Sequence, residues 1–258
     1  MSGRHRAQKE IAQVSIAVIE KAFLILEGLT EEAEPVSLAR LVKKTKLPKP
    51  TAYRILHTLV GLGYVMRNGG AEYCVTSKLD RLAQNARHSE LKLLALPHMT
   101  KLHRQFNETV NLGVLEGLSI RYIHVLETTR PLRLMVHPNA VDEFYSTAVG
   151  RAIVASLPEQ ERESLLKVAN LRPVTTNCVQ TKAELRRLLD ETRARGWGID
   201  DEETVVGVIC FGVALTKDGY PLGGISVSMP KTRLSDELRE SIAQSLTLIG
   251  RSWDRVMP

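Results

Sequence analysis

The sequence predicts an α+β fold in two domains, and three observations support this. The chain has 258 residues, which is enough for two ordinary domains. Its first quarter contains three helical patterns followed by a hairpin pattern, which together predict a winged helix-turn-helix. The remainder mixes β-branched runs with amphipathic segments, which predicts an α+β domain with antiparallel hairpins. The predicted boundaries are 1–14 for a flexible basic arm, 15–77 for the winged helix-turn-helix, 78–89 for a linker helix and 90–258 for the second domain.

The elements of the first domain each have their own signal. Apolar side chains recur at helical spacing over residues 15–30, which predicts the first helix. Ser37 is a natural N-cap for a short second helix. Pro48 and Pro50 mark the start of the third helix, since a first turn tolerates a missing N–H, and Gly63 is its stop signal. The stretch GYVMRNGGAEYCV predicts two short strands around an Asn-Gly-Gly turn.

Charge is distributed unevenly in this domain. The whole chain has a net charge of +6, which identifies no partner by itself. Residues 35–71, however, contain no acid, and a segment this one-sided suits a polyanion. The alternative is a solvated, lysine-rich face. The bases of the segment are Arg40, Lys43, Lys44, Lys46, Lys49, Arg54 and Arg67.

The third helix has an apolar and a polar side when its residues are placed at 100° intervals. The apolar side, which is expected to pack on the other helices, comprises Ala52, Ile55, Leu56, Leu59, Leu62 and Gly63. The polar side has no acid and fits a major groove about 12 Å wide. Alternatively, Tyr53 and His57 pack on the wing. The predicted DNA contacts are Lys49, Thr51, Tyr53, Arg54 and His57 from this helix, and Arg67 from the hairpin.

The second domain is predicted to begin after a helical connector, residues 78–87. An amphipathic segment follows over 90–106, in which Pro97 predicts a kink or a new helix start. The runs TVNLGVLEG and IRYIHVLET predict an antiparallel hairpin, and residues 132–137 predict a third strand. Further predicted elements are a helix over 147–157 capped by Ser146 or Thr147, a helix from the capping box at 181–184 to Arg195, two strands around Asp218-Gly219, and a last helix over 238–253.

Four segments of the second domain contain candidates for a small-molecule site. The stretch STAVGRA offers backbone N–H groups at a helix N-terminus, which suit a carboxylate. Asp200 follows a glycine turn, and Cys210 lies in an apolar strand. Ser226 and Ser228 are two residues apart, so they point to one face of their strand. The alternative is that the serines are tolerated polar residues on a sheet face and that Cys210 is a small core residue.

Enzyme motifs are scarce. There is no G-x-S-x-G, P-loop or H-E-x-x-H motif. His98 and His103 are five residues apart and do not share one helical face, so neither a metal nor another cofactor is predicted. A thiol-dependent hydrolase built on Cys210 stays an alternative, as does a winged helix that binds a protein. The three cysteines lack the spacing of a disulfide framework, and no apolar run reaches the roughly 18 residues of a membrane span, which fits a cytoplasmic protein.

A series of motifs along nearly the whole chain resembles one family. VIEKAFLILEGL is similar to its first-helix signature, SLARLVKKTKLPKPTAYRILHTLVGLGYV to its helix-turn-helix, and AEYCVTSKLDRLA to its wing and linker. ETVNLGVLEG, YSTAVGRA, RGWGIDDEE, GVICFGVAL and ISVSMP match successive landmarks of its effector domain. The family is that of the IclR-type bacterial transcriptional regulators.

The resemblance implies a non-enzymatic regulator that binds double-stranded operator DNA as a homodimer or homotetramer. It further implies a GAF/PAS-like effector domain and control by a small organic acid from sugar or aromatic catabolism, with repression as the expected sense. Three positions depart from the commonest pattern: Pro50 replaces a serine, and Val149 and Phe211 are unusual choices. By motif, the family's effector pocket corresponds to Ala148, Val149, Asp200, Cys210, Ser226 and Ser228.

Overall fold

The structure, a computed structural model, describes residues 16–253. The predicted basic arm, 1–14, therefore lies outside the described residues. The chain divides into two units, with the boundary between Arg87 and His88. This boundary lies inside the 78–89 segment, for which the sequence predicts a linker helix.

The described part of the first unit, from residue 16 onward, contains three helices and a small antiparallel sheet, as the sequence predicts for a winged helix-turn-helix. The Ser37 hydroxyl caps the second helix by accepting a hydrogen bond from the Arg40 N–H at 3.3 Å. The strands are ordered β1-β3-β2, and β2 and β3 form the wing. The elements are α1 Ala17–Thr30, β1 Val36–Ser37, α2 Leu38–Thr45, α3 Lys49–Gly61, β2 Val65–Arg67 and β3 Glu72–Val75.

The core of this unit joins the apolar sides of its three helices. Ile25 of α1, Leu41 of α2 and Leu56 of α3 are fully buried together. Leu62 was expected on the buried side of α3, and this expectation is wrong because 54% of the residue is exposed. α3 has already ended at this position, and Gly63 turns the chain away with a φ of +76°.

The next helix is continuous where the sequence predicted two pieces. α4 covers Ser77–Phe106 and contains Pro97 in its interior. The expected new helix start at Pro97 is therefore wrong. The C-terminal half of α4 places Leu91, Met99 and Leu102 in the core of the second unit.

The second unit is built on a six-stranded antiparallel sheet with the order β6-β5-β4-β9-β8-β7. Both predicted hairpins, β4–β5 and β8–β9, are present. The strands are β4 Thr109–Glu116, β5 Ser119–Leu126, β6 Val141–Glu143, β7 Gly198–Asp201, β8 Val208–Lys217 and β9 Tyr220–Pro230. The helices that follow α4 are α5 Ala148–Ser156, α6 Glu159–Val168, α7 Lys182–Arg195 and α8 Asp236–Trp253.

Some elements of this unit differ from the sequence prediction. Residues 132–137 form no strand; the third strand is β6, which pairs with β5. Pro131 and Pro138 flank the 132–137 segment, and proline cannot donate to a strand ladder. The helix α6 and the short edge strand β7 were not predicted. None of the helices in the described residues is long and apolar enough to span a membrane.

The two faces of the large sheet have different coverings. One face carries apolar side chains such as Leu112, Phe211 and Val227, which pack with α4 and α8. The other face lies under α5, and several of its residues are glycine. Because side chains alternate along a strand, this second face also carries the polar residues of the candidate site.

Candidate functional site

Strand pairing brings the predicted polar residues together in one row across the sheet. Asp200 of β7 pairs with Cys210 of β8, and Cys210 pairs with Ser228 of β9. We call Asp200, Cys210 and Ser228 the polar row. Directly opposite residues have Cβ atoms about 4.5–5.5 Å apart, so these side chains adjoin one another.

The neighbouring row allows α5 to approach the sheet. Gly198 pairs with Gly212, and Gly212 pairs with Ser226. A Cβ at Gly212 would lie 2.5 Å from the Val149 nitrogen, which is closer than two such atoms can come. Glycine here therefore lets the N-terminus of α5 lie against the sheet, beside Ser226.

These elements enclose a cavity of about 410 Å³. This volume is within the range of about 300–1,000 Å³ that is usual for small-molecule sites. The cavity wall includes carboxylates and hydroxyls but no lysine or arginine. All six residues predicted for the effector pocket line it: Ala148, Val149, Asp200, Cys210, Ser226 and Ser228.

The N-terminus of α5 contributes hydrogen-bond donors to this wall. Thr147 is the N-cap, and its hydroxyl accepts from the Gly150 N–H at 3.1 Å. The N–H groups of Ala148 and Val149 belong to the same first turn and have no partner within the helix. Together with the helix dipole, they favour an anionic group at this end of the cavity.

Asp200 is buried and held by its own loop. Its carboxylate accepts hydrogen bonds from the Glu203 N–H at 2.8 Å and from the N–H and hydroxyl of Thr204. Burial nevertheless raises the pKa of Asp200 to about 6, because the desolvated carboxylate is costly. At neutral pH the site therefore contains a carboxylate that most ligands' own carboxylates would avoid.

A buried ion pair fixes the loop that holds Asp200. Arg151 of α5 is fully buried and pairs with Glu203 through two hydrogen bonds. Arg151 also donates to the main-chain oxygens of Tyr145 and Ile199, each at 2.8 Å. The pair connects α5 to the segment after β7, so both walls of the cavity keep their relative position.

Cys210 is a poor nucleophile in this environment. It is 7% exposed, and burial, followed by the nearby Asp200 charge, raises the pKa of its thiol well above the usual value. The thiol therefore stays protonated at neutral pH, whereas a reactive cysteine is a thiolate in an electropositive, accessible setting.

The cavity also has residues that the sequence did not reveal. Tyr122 and Asp142 line it from β5 and β6, Thr204 from the Asp200 loop, and His137 from the irregular segment before β6. Alternation along β5 could have placed Tyr122 on this face, but only with the strand pairing known. Asp142 depends on β6, a strand that was not predicted, and Thr204 and His137 depend on how the segments outside the strands close over the sheet.

The first unit presents the predicted polar side of α3 to solvent. Tyr53, Arg54 and His57 are exposed, and no ion pair involves Arg54 in the described part of the chain. The rings of Tyr53 and His57 lie 6.3 Å apart along α3, so they contact each other. On the wing, the guanidinium of Arg67 lies 5.8 Å from the ring centre of Tyr73.

Two of the seven bases counted from the sequence are neutralised by acids of the preceding turn. Arg40 pairs with Glu32 at 2.6 Å, and Lys44 pairs with Glu31 at 2.9 Å. Of the seven counted bases, the structure gives no ion pair within the described residues to Lys43, Lys46, Lys49, Arg54 and Arg67, so most of the predicted positive charge of the surface is free. Lys49 and Thr51 lie at the N-terminal end of α3, at the edge of this surface.

A winged helix followed by a domain with a cavity of ligand size, lined partly by polar side chains, defines the class of ligand-responsive DNA-binding proteins. Comparison with known families agrees. The family described as bacterial transcriptional regulator IclR, C-terminal, matches residues 83–255, and the IclR helix-turn-helix domain matches residues 18–69. The chain belongs to the IclR family of bacterial transcriptional regulators, and its relatives are regulators rather than enzymes.

Individual relatives match nearly the full length. The HTH-type transcriptional regulator KdgR of Escherichia coli K12 is 33% identical over 233 residues, which cover 89% of this chain and 88% of KdgR. The transcriptional repressor IclR of the same organism is 25% identical over 224 residues, 85% of this chain and 82% of IclR. The crystal structure of Thermotoga maritima IclR is 27% identical, covers 93% of this chain and 98% of its own, and has a TM-score of 0.63.

Proposed function

We propose that this regulator is a cytoplasmic repressor that binds operator DNA through α3 and the wing and responds to a small hydroxylated organic acid in the cavity described above. The main support is that the polar row, Ser226 and the N-terminus of α5 line one cavity of ligand size. Repression is supported by its relative IclR, whose name describes a repressor.

The chemistry of the wall supports an acid with several hydroxyl groups. Ionised carboxylates only accept hydrogen bonds, and Asp142, Glu143 and Asp200 all line the cavity. A ligand must therefore supply donors, which hydroxyl groups do. Its carboxylate fits best at the N-terminus of α5, where main-chain N–H groups can donate to it. An aromatic acid would supply few donors, so we favour a sugar-derived acid over an aromatic catabolite.

Calorimetry with three acids tests the effector class. Gluconate carries five hydroxyls, hexanoate has the same carbon count without them, and 4-hydroxybenzoate represents aromatic acids. We expect gluconate to bind and the other two to bind at least tenfold more weakly. Ser228→Ala should weaken the binding of gluconate by about 0.5–1.5 kcal/mol, the contribution of one hydrogen bond. If 4-hydroxybenzoate binds more tightly than gluconate, the effector is an aromatic acid and not a sugar-derived one.

The DNA surface comprises the predicted contacts Lys49, Thr51, Tyr53, Arg54, His57 and Arg67. We propose that α3 enters the major groove, where Arg54 and His57 reach base edges while the wing follows the phosphates. The N-terminal end of α3 adds main-chain donors for a phosphate. Charge in this part of the chain supports the model, because the acids near α2 are already paired with Arg40 and Lys44.

The proposed oligomer is a homodimer or homotetramer. Ile16, Ile19 and Phe23 follow one another at helical spacing along α1 and its start, and each is at least half exposed. An exposed apolar stripe of this kind suits burial against a second copy of the chain. Two copies would present two α3 helices to half-sites about 34 Å apart.

A matched pair of arginine variants tests DNA binding by α3. Arg54→Ala is expected to lower affinity for DNA from the region upstream of the protein's own gene by about 1–3 kcal/mol. Arg40→Ala, whose side chain pairs with Glu32, is the control and should change affinity little. Fluorescence anisotropy at several salt concentrations measures both. Equal loss in the two variants, or affinity that does not fall with salt, would favour the protein-binding alternative.

A further inference from the structure

A second cavity, of about 350 Å³, lies in the second unit and shares no lining residue with the proposed effector cavity. It lies where the C-terminal end of α7 meets α5, β8 and α8. Strand β7 begins at Gly198, which pairs with Gly212, so β8 continues beyond this pair with no described strand on that side. The cavity adjoins this uncovered part of the sheet edge, because Val213, Ala214 and Thr216 line it.

The charge of this second cavity is opposite to that of the proposed effector cavity. Among the described residues, its lining includes no carboxylate but three arginines, Arg193, Arg195 and Arg251, and we call it the arginine cavity. None of the three forms an ion pair within residues 16–253, whereas Arg187, earlier on α7, pairs with Glu191. Three cations around a cavity of this size, without an acid to balance them, favour an anionic ligand.

Arg195 is held in place by its neighbour Trp197. Its Nε donates to the Trp197 main-chain oxygen at 2.6 Å, and its guanidinium lies 4.3 Å from the centre of the Trp197 ring. Partial burial lowers the pKa of Arg195 from its usual value, because desolvation disfavours the charged form. Its two terminal nitrogens have no hydrogen-bond partner within the described residues. They therefore remain as donors, in the fork geometry that matches phosphate and carboxylate oxygens.

Thr192 adds a buried hydroxyl without a partner. It is 2% exposed and lines the arginine cavity, and its hydroxyl has no hydrogen-bond partner within the described residues. Buried polar groups in native proteins are usually hydrogen-bonded, so an unpaired hydroxyl calls for a partner. Two other hydroxyls of the lining, those of Ser156 and Thr247, already donate to the main-chain oxygens of Ala152 and Ala243. A ligand with acceptor oxygens in the arginine cavity would satisfy Thr192.

We propose that the arginine cavity is a second small-molecule site, and that it binds a phosphate ester of a small polar metabolite. The phosphate lies among Arg193, Arg195 and Arg251 and accepts a hydrogen bond from Thr192. A phosphate monoester carries a charge of about −2 at pH 7 and three acceptor oxygens, which suits three arginines better than the single charge of a carboxylate. This site goes beyond the proposed function, because it involves neither the DNA surface nor the effector cavity.

Calorimetry in the absence of DNA tests the site with glucose 6-phosphate, glucose and inorganic phosphate. We expect glucose 6-phosphate to bind, inorganic phosphate to bind more weakly, and glucose not to bind. Arg193→Gln and Arg251→Gln should each weaken the binding of glucose 6-phosphate about tenfold or more, the contribution of a hydrogen bond to a charged group. Arg187→Gln removes the same charge from α7 outside the cavity, so it is the control and should change the affinity less than about twofold.

Thr192→Val separates ligand binding from a structural role. The substitution removes the hydroxyl and keeps the branched shape of the side chain. Because this hydroxyl bonds to nothing in the described protein, urea unfolding should show unchanged or higher stability, while the affinity for glucose 6-phosphate falls about threefold or more. Lower stability with an unchanged affinity would make Thr192 a structural residue and overturn its part in the site.

Four results overturn the site itself. If neither phosphate compound binds at millimolar concentration, the arginines of α7 only stabilise the C-terminal end of their helix dipole. Equal weakening by Arg187→Gln and by the cavity variants would show diffuse attraction by net charge. Inorganic phosphate that binds as tightly as the ester would show that the cavity takes a free anion and no metabolite. Loss of binding together with a smaller oligomer in analytical ultracentrifugation would assign the arginines to a contact between copies of the chain.

Discussion

Replacing Asp200 by asparagine tests the electrostatics of the cavity without any ligand. Asparagine has nearly the same shape and can still accept from the Glu203 N–H, but it carries no charge. The pKa of Asp200 is raised by burial from 3.8 to about 6 in the folded protein. The folded state therefore holds its proton more tightly than the unfolded state, and stability is lost as the pH rises through this interval. Asp200→Asn removes this loss and is expected to stabilise the protein at neutral pH.

The size of the effect follows from the pKa difference. One pKa unit corresponds to about 1.4 kcal/mol, so a shift of about two units gives an upper limit of about 3 kcal/mol. The gain is expected to be small at pH 4, to grow between pH 4 and pH 6, and to be complete by about pH 7. The neutral amide is a weaker acceptor than the carboxylate for the Thr204 N–H and hydroxyl, which reduces the gain, so we expect about 1–3 kcal/mol at pH 8.

Urea unfolding followed by tryptophan fluorescence measures this gain in the unit that contains Asp200. Both tryptophans, Trp197 and Trp253, lie in the second unit, so their fluorescence reports the unfolding of the domain that contains Asp200. Glu240→Gln, which removes an exposed carboxylate of α8, is the control and should change stability by less than about 0.5 kcal/mol. A gain for Asp200→Asn that is the same at pH 4 and pH 8, or a loss at pH 8, would refute the reasoning.

Three further outcomes follow from the packing of this domain. Gly212→Ala is expected to destabilise the protein by about 1–3 kcal/mol, because its Cβ would meet α5. Gly69→Ala in the open wing turn is the control and should be nearly neutral. The urea unfolding midpoints of the two variants, compared with that of the wild type, test this expectation. Iodoacetamide at pH 7.5 should modify Cys74 before the buried Cys210, and mass spectrometry that finds Cys210 modified first contradicts its assignment as an inert thiol. Arg151→Ala leaves its buried carboxylate partner without a cation and should cost roughly 3–5 kcal/mol; a loss below 1 kcal/mol would show that the pair is not needed.

Patterns of spacing along the chain predicted much of this fold. The 3.6-residue period of α3 correctly separated the buried Ala52 and Ile55 from the exposed Arg54 and His57. Capping signals left Ser146 or Thr147 as the cap of α5, and Thr147 is the residue that caps it. These features are local, so their information lies within a few neighbouring residues. All six effector-pocket candidates of the second domain line one cavity, and their role in binding an effector stays a prediction.

The features that the sequence did not reveal depend on contacts between distant segments. Residues 132–137 were predicted as a strand, but the chain pairs β5 with residues further along, and no local signal specifies that register. Pairing of Asn111 with Ser226 joins residues 115 positions apart, so this buried hydrogen bond could not be predicted. The charge count of the first domain also missed contacts outside the counted segment, because Arg40 and Lys44 form ion pairs with acids that precede it.

The account as a whole depends on coupling between the cavity and the DNA-binding surface. Fluorescence anisotropy with DNA from the upstream region gives the affinity for DNA with and without saturating gluconate, and calorimetry gives the affinity for the acid with and without that DNA. Linkage requires the two changes to be the same factor, and we expect the acid to weaken DNA binding about fivefold or more. An acid that binds in the cavity while the affinity for DNA stays unchanged would contradict the central claim.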